Sequence, residues 1–180
     1  ATEITISGDN ASQLFSIDAN ADPEISNEVF IQGLTLLNGV AAVGGAIYVA
    51  PGQSLSLDSV TLSGNTATGD AASEGGGGIF NDGGTLNIAN SILSGNTASG
   101  VAGSGGAIFN ASGGTLAIAN STISGNVANR AGGGIEDASG LDGSVALSGI
   151  SLSNNSAGVG NGATANPGNG GGLHISGAGD

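Results

Sequence analysis

A motif of paired glycines followed by an apolar residue returns along this chain at intervals close to 30 residues. Each of the first four copies is followed by an alternating apolar segment, and then by a second apolar segment that ends in asparagine. These closing asparagines, Asn65, Asn96, Asn126 and Asn155, are 31, 30 and 29 residues apart. A unit of this length buries its apolar side chains by stacking on its neighbours, which predicts a solenoid. The glycine motif occupies residues 44–48, 76–80, 105–109, 132–136 and 170–174.

Each unit contains three short stretches in which Ile, Leu, Val or Thr alternates with small or polar residues. This period of two predicts strands, and the abundance of Gly, Ser, Asn and Thr disfavours helices. We therefore predict an all-β fold: a right-handed parallel β-helix of about five to six coils, with three short strands per coil. Residues 1–180 form a single domain in this interpretation, with irregular N-terminal coils over 1–43 and regular repeats over 44–180.

Stacked coils place equivalent residues above one another at a spacing of about 4.8 Å, so that each repeat position forms a column of side chains. We expect one apolar column inside the coils and a ladder of stacked amides from the closing asparagines. The paired glycines are expected either to supply positive φ angles or to permit close approach of neighbouring coils. The predicted apolar column contains Ile47, Ile79, Ile108 and Ile135.

The charge balance restricts the classes of partner. The chain has 14 acidic residues, a single Arg and no Lys, which gives a formal net charge of −13. Nucleic acids and anionic membrane surfaces are bound through basic residues, so neither is a predicted partner. No apolar run approaches the 18 residues of a membrane-spanning helix. The absence of Cys and Met, the most oxidation-prone residues, favours an extracellular location.

The paired motifs resemble the repeats of chlamydial polymorphic outer-membrane proteins. They are still more similar to the repeats of large secreted bacterial proteins with pectate-lyase-like β-helices. Segments 83–98 and 113–126 carry this resemblance, residues 4–18 resemble the entry coil of that group, and the similarity extends over residues 2–176. One departure is that the outer-membrane repeats usually begin their second motif with Phe, where this chain has Leu or Ile. The resemblance implies a cell-surface or extracellular protein, often adhesive, and brings no catalytic residue with it.

Many β-helices degrade polysaccharides, which makes the carboxylates candidate catalytic groups. Lyase chemistry also needs a basic residue, but Arg130 lies in a turn, where a solvated loop charge is expected. Adjacent residues on a strand point to opposite faces, so Glu136 and Asp137 cannot serve one site together. We therefore predict that the chain is not an enzyme. The candidate sets are Glu136 with Asp137 and Asp142, and Asp70 with Glu74 and Asp82.

No cofactor is predicted, although acidic turns make weak calcium binding an alternative. The single histidine, His174, cannot form a metal site alone and is expected at the surface. The candidate calcium ligands are Asp70, Glu74, Asp82, Asp137 and Asp142.

Tyr48, Phe80 and Phe109 occupy equivalent repeat positions and are expected to form an aromatic column. If the preceding isoleucines point inward, these rings point outward. The sequence then leaves two alternatives: a surface row that binds sugars or another chain, or a row covered by a loop.

The predicted function is an extracellular structural or adhesive module. No cap sequence is evident at either end, so the partners are other copies stacked end-to-end in a filament, or host or cell-surface glycans or proteins. Insertions cluster at 66–75, 97–104, 127–131 and 156–169, and a recognition surface is expected on this edge. The alternatives are a carbohydrate-binding or polysaccharide-degrading β-helix and an ice-binding solenoid, whose threonine column Ile92 interrupts.

Overall fold

The computed structural model describes residues 4–18, 28–158 and 170–176. Its N-terminal strands are short, and they are separated by turns rich in glycine and asparagine. They are β1 (Ile4–Ser7), β2 (Phe15–Ile17), β3 (Glu28–Gln32), β4 (Leu34–Leu37), β5 (Val40–Ala41), β6 (Ile47–Val49), β7 (Ser54–Asp58), β8 (Thr61–Ser63) and β9 (Thr66–Ala67).

The remaining strands continue the same order, with one turn of 3-10 helix at Gly140–Asp142 between β18 and β19. They are β10 (Ile79–Asn81), β11 (Thr85–Ala89), β12 (Ile92–Ser94), β13 (Thr97–Ala98), β14 (Ile108–Asn110), β15 (Thr115–Ala119), β16 (Thr122–Ser124), β17 (Val127–Ala128), β18 (Ile135–Asp137), β19 (Ser144–Ser148), β20 (Ser151–Ser153), β21 (Ser156–Ala157) and β22 (Leu173–Ile175).

Four parallel sheets run along the stack. Sheet A contains β1, β4, β8, β12, β16 and β20, and sheet B contains β2, β6, β10, β14, β18 and β22. Sheet C contains β3, β7, β11, β15 and β19, and sheet D contains β5, β9, β13, β17 and β21. The chain therefore passes through sheets B, C, A and D in each of five coils: β2–β5, β6–β9, β10–β13, β14–β17 and β18–β21, numbered coils 1 to 5 below.

This arrangement confirms the predicted all-β parallel solenoid. It also adds a fourth strand to each coil, which the sequence analysis did not predict. The extra strand is a two-residue element directly after the closing asparagine, such as Thr66–Ala67, and it pairs in register with its counterpart, Thr97–Ala98. Two residues are too few to show an alternation, so the pattern gave no signal for it.

The core lies inside the coils and is built from columns of equivalent residues. Ile47, Ile79, Ile108 and Ile135 pair in register across sheet B and have no exposed surface. In sheet C, Leu55 pairs with Leu86 in the same way. Burial of each such side chain contributes about 1.5–3 kcal/mol relative to exposure, so the columns are the main source of stability.

The two glycines of each motif have different functions. Gly105 has a φ of 67°, in the left-handed region where a side chain is strained. Gly106 has no such angle, but a Cβ there would collide with the carbonyl oxygen of Gly133 in the next coil. The first glycine therefore shapes the turn, and the second lets neighbouring coils approach.

Ser59 is expected to be a correctable weak point of the turn that joins sheet C to sheet A. Its φ is 55°, whereas the equivalent residues Asn90 and Asn120 have 52° and 49° and tolerate this conformation better. We predict that Ser59→Asn raises the free energy of unfolding by about 0.5–1 kcal/mol. Urea unfolding followed by circular dichroism measures the change. Ser63→Asn, within β8, is the control and should bring no gain, since asparagine is unfavourable in strands.

Candidate functional site

The closing asparagines form a hydrogen-bonded ladder inside the solenoid. Asn65 Nδ2 donates to Asn96 Oδ1 at 2.9 Å, Asn96 Nδ2 donates to Asn126 Oδ1 at 3.0 Å, and Asn126 Nδ2 donates to Asn155 Oδ1 at 2.9 Å. Each acceptor oxygen also receives the backbone N–H of the preceding asparagine, at 2.9–3.0 Å. Because the amides bond to one another and to the backbone, this column holds coils together.

A second buried polar row was missed by the sequence analysis. Asn81 Nδ2 donates to Asn110 Oδ1 at 2.7 Å, and Asn110 Nδ2 donates to Asp137 Oδ1 at 2.9 Å. Val49 precedes Asn81 in the column and cannot donate, and Asn81 Oδ1 has no hydrogen-bond partner among the described residues. The signal was present in the sequence as Ile-Phe-Asn at 79–81 and 108–110, followed by Ile-Glu-Asp at 135–137.

The predicted aromatic row forms, but it is not a surface row. Tyr48 and Phe80 stack with centroids 6.1 Å apart, and Phe80 and Phe109 stack at 5.1 Å. Only 6% of Phe80 and 3% of Phe109 is exposed. The rings cover one another, and Ala72 of an insertion loop and Arg130 line the same shallow depression beside them. Tyr48 is further fixed by donating to Asp82 at 2.7 Å, and burial, reinforced by this bond, raises the pKa of Tyr48 to about 12.

Glu136 follows Phe109 in the same outward column of sheet B, yet it is fully buried. His174 Nδ1 lies 2.9 Å from Glu136 Oε2, and Ser176 Oγ donates to Oε1 at 2.7 Å. Arg130 Nη2 lies 3.7 Å from Oε1 and also donates to Ala72 O at 3.2 Å. We call Arg130, Glu136, His174 and Ser176 the Glu136 cluster.

The Glu136 cluster corrects two expectations. Arg130 is not a solvated loop charge, since its side chain is 25% exposed and Nε donates to Ser104 Oγ at 3.0 Å. His174 is not a free surface residue, because its side chain is 24% exposed and faces the buried carboxylate. Both corrections have the same cause: a carboxylate without exposure requires hydrogen-bond donors and positive partners. The cluster fastens β22 to β18.

Glu136→Ala is predicted to loosen β22 without unfolding the solenoid. The variant removes the acceptor for Ser176 and the partner of His174, while the parallel pairing of β22 with β18 remains. Hydrogen exchange at 173–176 should accelerate at least tenfold, and exchange in β14 should stay unchanged. Glu74→Ala, which removes an exposed carboxylate that accepts from Ala71 N, is the matched control. Unchanged exchange at 173–176 would show that the cluster does not fasten the strand.

The candidate calcium ligands and catalytic carboxylates lie apart. Asp70 accepts from Val101 N at 2.9 Å, Asp82 from Tyr48, and Asp142 lies in the exposed 3-10 turn. Glu136 and Asp137 point to opposite sides of β18, as their hydrogen-bond partners show. Among residues 4–18, 28–158 and 170–176, no group of three His, Asp or Glu side chains is placed to hold a metal ion.

The outer face of sheet C is flat and exposed. Phe30 is 62% exposed, and it shares a shallow groove of about 440 Å³ with alanines from later coils, such as Ala117 and Ala146. Asp58 lies beside this groove, where Asn90 Nδ2 and Gln32 Nε2 donate to its two oxygens at 2.7 and 2.8 Å. These bonds, that of Asn90 most of all, lower the pKa of Asp58 and keep it ionised.

The outer face of sheet A differs in chemistry. Its outward column contains Thr61, Ile92, Thr122 and Ser151, and Ile92 is 47% exposed. The apolar side chain interrupts the hydroxyl row, as the sequence analysis expected. A regular array of hydroxyls is therefore not formed along this column.

The comparisons with known proteins give one finding. The family model described as the Chlamydia polymorphic membrane protein repeat matches residues 59–82. These residues correspond to most of one coil, from the turn before β8 through β9 and the insertion loop to β10. Searches of curated proteins and of solved structures return no match. No helix in the described part of the chain is long and apolar enough to cross a membrane. Over about one coil, the chain is thus similar to a repeat of polymorphic membrane proteins.

Proposed function

We propose that this chain is an extracellular, surface-displayed β-helix module that acts as a rigid scaffold and makes adhesive contacts through the outer face of sheet C. The observation that carries this proposal is the exposed Phe30 ring beside a shallow apolar groove in an otherwise strongly acidic chain. Exposed apolar patches of this kind mark contact surfaces. The match of residues 59–82 to a membrane-protein repeat supports surface display, and the resemblance to secreted pectate-lyase-like β-helices supports export.

The interior chemistry supports a structural function. The amide ladder and the Asn81–Asp137 row bond mainly within the solenoid, and the Glu136 cluster fastens a strand. A hydrolase of the glycosidase type instead needs two carboxylates facing one substrate bond. The acidic residues described above are engaged in separate structural bonds.

Adhesion is tested with beads that carry the purified chain. We expect the beads to bind cultured epithelial cells, and Phe30→Ser to abolish most of this binding. Ile92→Ser is the matched control, because it removes an exposed apolar side chain from sheet A instead. Treatment of the cells with glycosidases or with a protease then separates a glycan target from a protein target. Equal binding by both variants would contradict the assignment of the sheet C face.

A filament subunit is the second candidate, and the last coil favours it. Leu147 and Leu152 are half-buried, whereas Ile118 and Ile123 one coil earlier are covered. Among the described residues, β19, β20 and β21 each pair on one side, so a further coil from the same polypeptide or another copy would cover them. Negative-stain microscopy separates fibres from isolated rods. Isolated rods that cleave glycans would contradict both structural functions.

A further inference from the structure

We infer that the outer face of sheet C binds a second copy of this chain, with two solenoids side by side and their coil orders reversed. The inference rests on the proposed function, since both use the same face. It differs from end-to-end stacking, because it joins the sides of the rods.

Side-chain size changes steadily along the middle column of this face. Phe30 stands in coil 1, Ser56 in coil 2, Asn87 in coil 3, Ala117 in coil 4 and Ala146 in coil 5. One end of the face therefore has a projecting ring, and the other end has a shallow surface with Ala146 exposed. A surface with a knob at one end and a hollow at the other is complementary to a reversed copy of itself.

A two-fold axis along the strand direction of β11 produces this reversal. Coil 1 then lies over coil 5, so that Phe30 of each copy covers Ala146 of the other, Ser56 covers Ala117, and Asn87 meets Asn87. Such an interface is isologous, with each contact made twice. If the coils kept the same order, Phe30 would meet Phe30 and the alanine end would be left unpacked.

The charges on the face favour the same arrangement. The carboxylates of sheet C's outer face, Glu28 and Asp58, belong to coils 1 and 2, where they lie opposite Ser144 and Ala119 after reversal. No carboxylate then faces another. With the coils in the same order, the four carboxylates of the two copies would gather at one end and repel.

The area of the face sets the strength of the association. Five strands about 4.8 Å apart and five residues at about 3.3 Å each give a few hundred Å² per copy, below the roughly 800 Å² per partner of stable interfaces. The net charge of −13 per chain also opposes pairing. We therefore expect weak dimers that strengthen as salt screens the repulsion. On a crowded surface, high local concentration would compensate for this weakness.

Sedimentation velocity over a concentration series, at low and high salt, measures the association. We expect a monomer–dimer equilibrium that shifts toward the dimer at high salt. Phe30→Ser should raise the dissociation constant at least tenfold, and Ile92→Ser should leave it unchanged. Circular dichroism verifies that both variants keep the fold, as exposed positions should.

Single cysteines test the coil order, since the chain has no cysteine of its own. A short bismaleimide should link Asn87→Cys into dimers, because residue 87 lies near the two-fold axis. Ala146→Cys should not cross-link, since its two copies lie about four coils, or roughly 19 Å, apart. Equal linking of both variants, a chain that stays monomeric at high salt, or equal weakening by Ile92→Ser would overturn the inference. A monomeric chain whose cell adhesion still depends on Phe30 would overturn the inference alone and leave the proposed function standing.

Discussion

Asn96→Ala is expected to lower the free energy of unfolding by about 3–5 kcal/mol, because the cost of several unsatisfied buried groups adds up. The alanine removes the acceptor for the Asn65 backbone N–H and for Asn65 Nδ2, at 3.0 and 2.9 Å. It also removes the donor to Leu62 O, at 3.1 Å. Asn96 has no exposed surface, so water cannot replace these partners.

Urea unfolding of the variant, followed by circular dichroism, measures this loss. The control is Asn87→Ala, the same substitution on the exposed face of sheet C in the same coil, which should change the free energy of unfolding by less than about 0.5 kcal/mol. A cost at Asn96 no greater than the cost at Asn87 would show that the amide ladder does not hold the coils together.

Gly106→Ala is expected to cost about 3 kcal/mol, through overpacking of a contact between backbones. The new Cβ would collide with Gly133 O and would approach the backbone of Val127 to 2.7 Å. Neither group can rotate away as a side chain does, so coils 4 and 5 must separate. Their in-register pairing in sheet B would weaken as a result.

Gly172→Ala is the matched control for the glycine prediction. A Cβ at Gly172 meets only Leu152 carbons at 3.6 Å, an ordinary contact, and alanine already occupies the equivalent positions 46 and 107. We expect a change within about 0.5 kcal/mol there. If both alanines were tolerated equally in thermal unfolding, close approach of the coils would not explain the second glycine of each motif.

The repeat was enough to predict the solenoid, because each signal in it is local. Alternation at Leu86 and Ile88 indicates a strand with one buried face, and the constant spacing of the closing asparagines fixes which residues stack. The strand Thr66–Ala67 was missed because its pairing depends on the neighbouring coil. Local sequence contains no record of that neighbour.

The sites were harder to predict because they depend on contacts between distant residues. Glu136 and His174 replace aromatic residues in one column, a signal visible once the repeats are aligned. Burial of the pair depends also on Arg130 and on the loop that contains Ala72, whose path the repeat does not determine. Likewise, alternation shows that Phe30 points outward, but only the fold shows that the ring stays exposed.

Engineered disulfides test the in-register stacking of coils most directly, since the chain contains no cysteine. Ser63 and Ser94 pair across sheet A, and paired parallel residues lie about 4.8 Å apart, within the Cα range of a disulfide. Ser63 and Ser124 are two coils apart, at about 9.6 Å, which is too far. Oxidation followed by peptide mapping should find a disulfide in the variant with Ser63→Cys and Ser94→Cys, and none in the variant with Ser63→Cys and Ser124→Cys. Equal yields in the two variants, or a bond in the second alone, would contradict the solenoid.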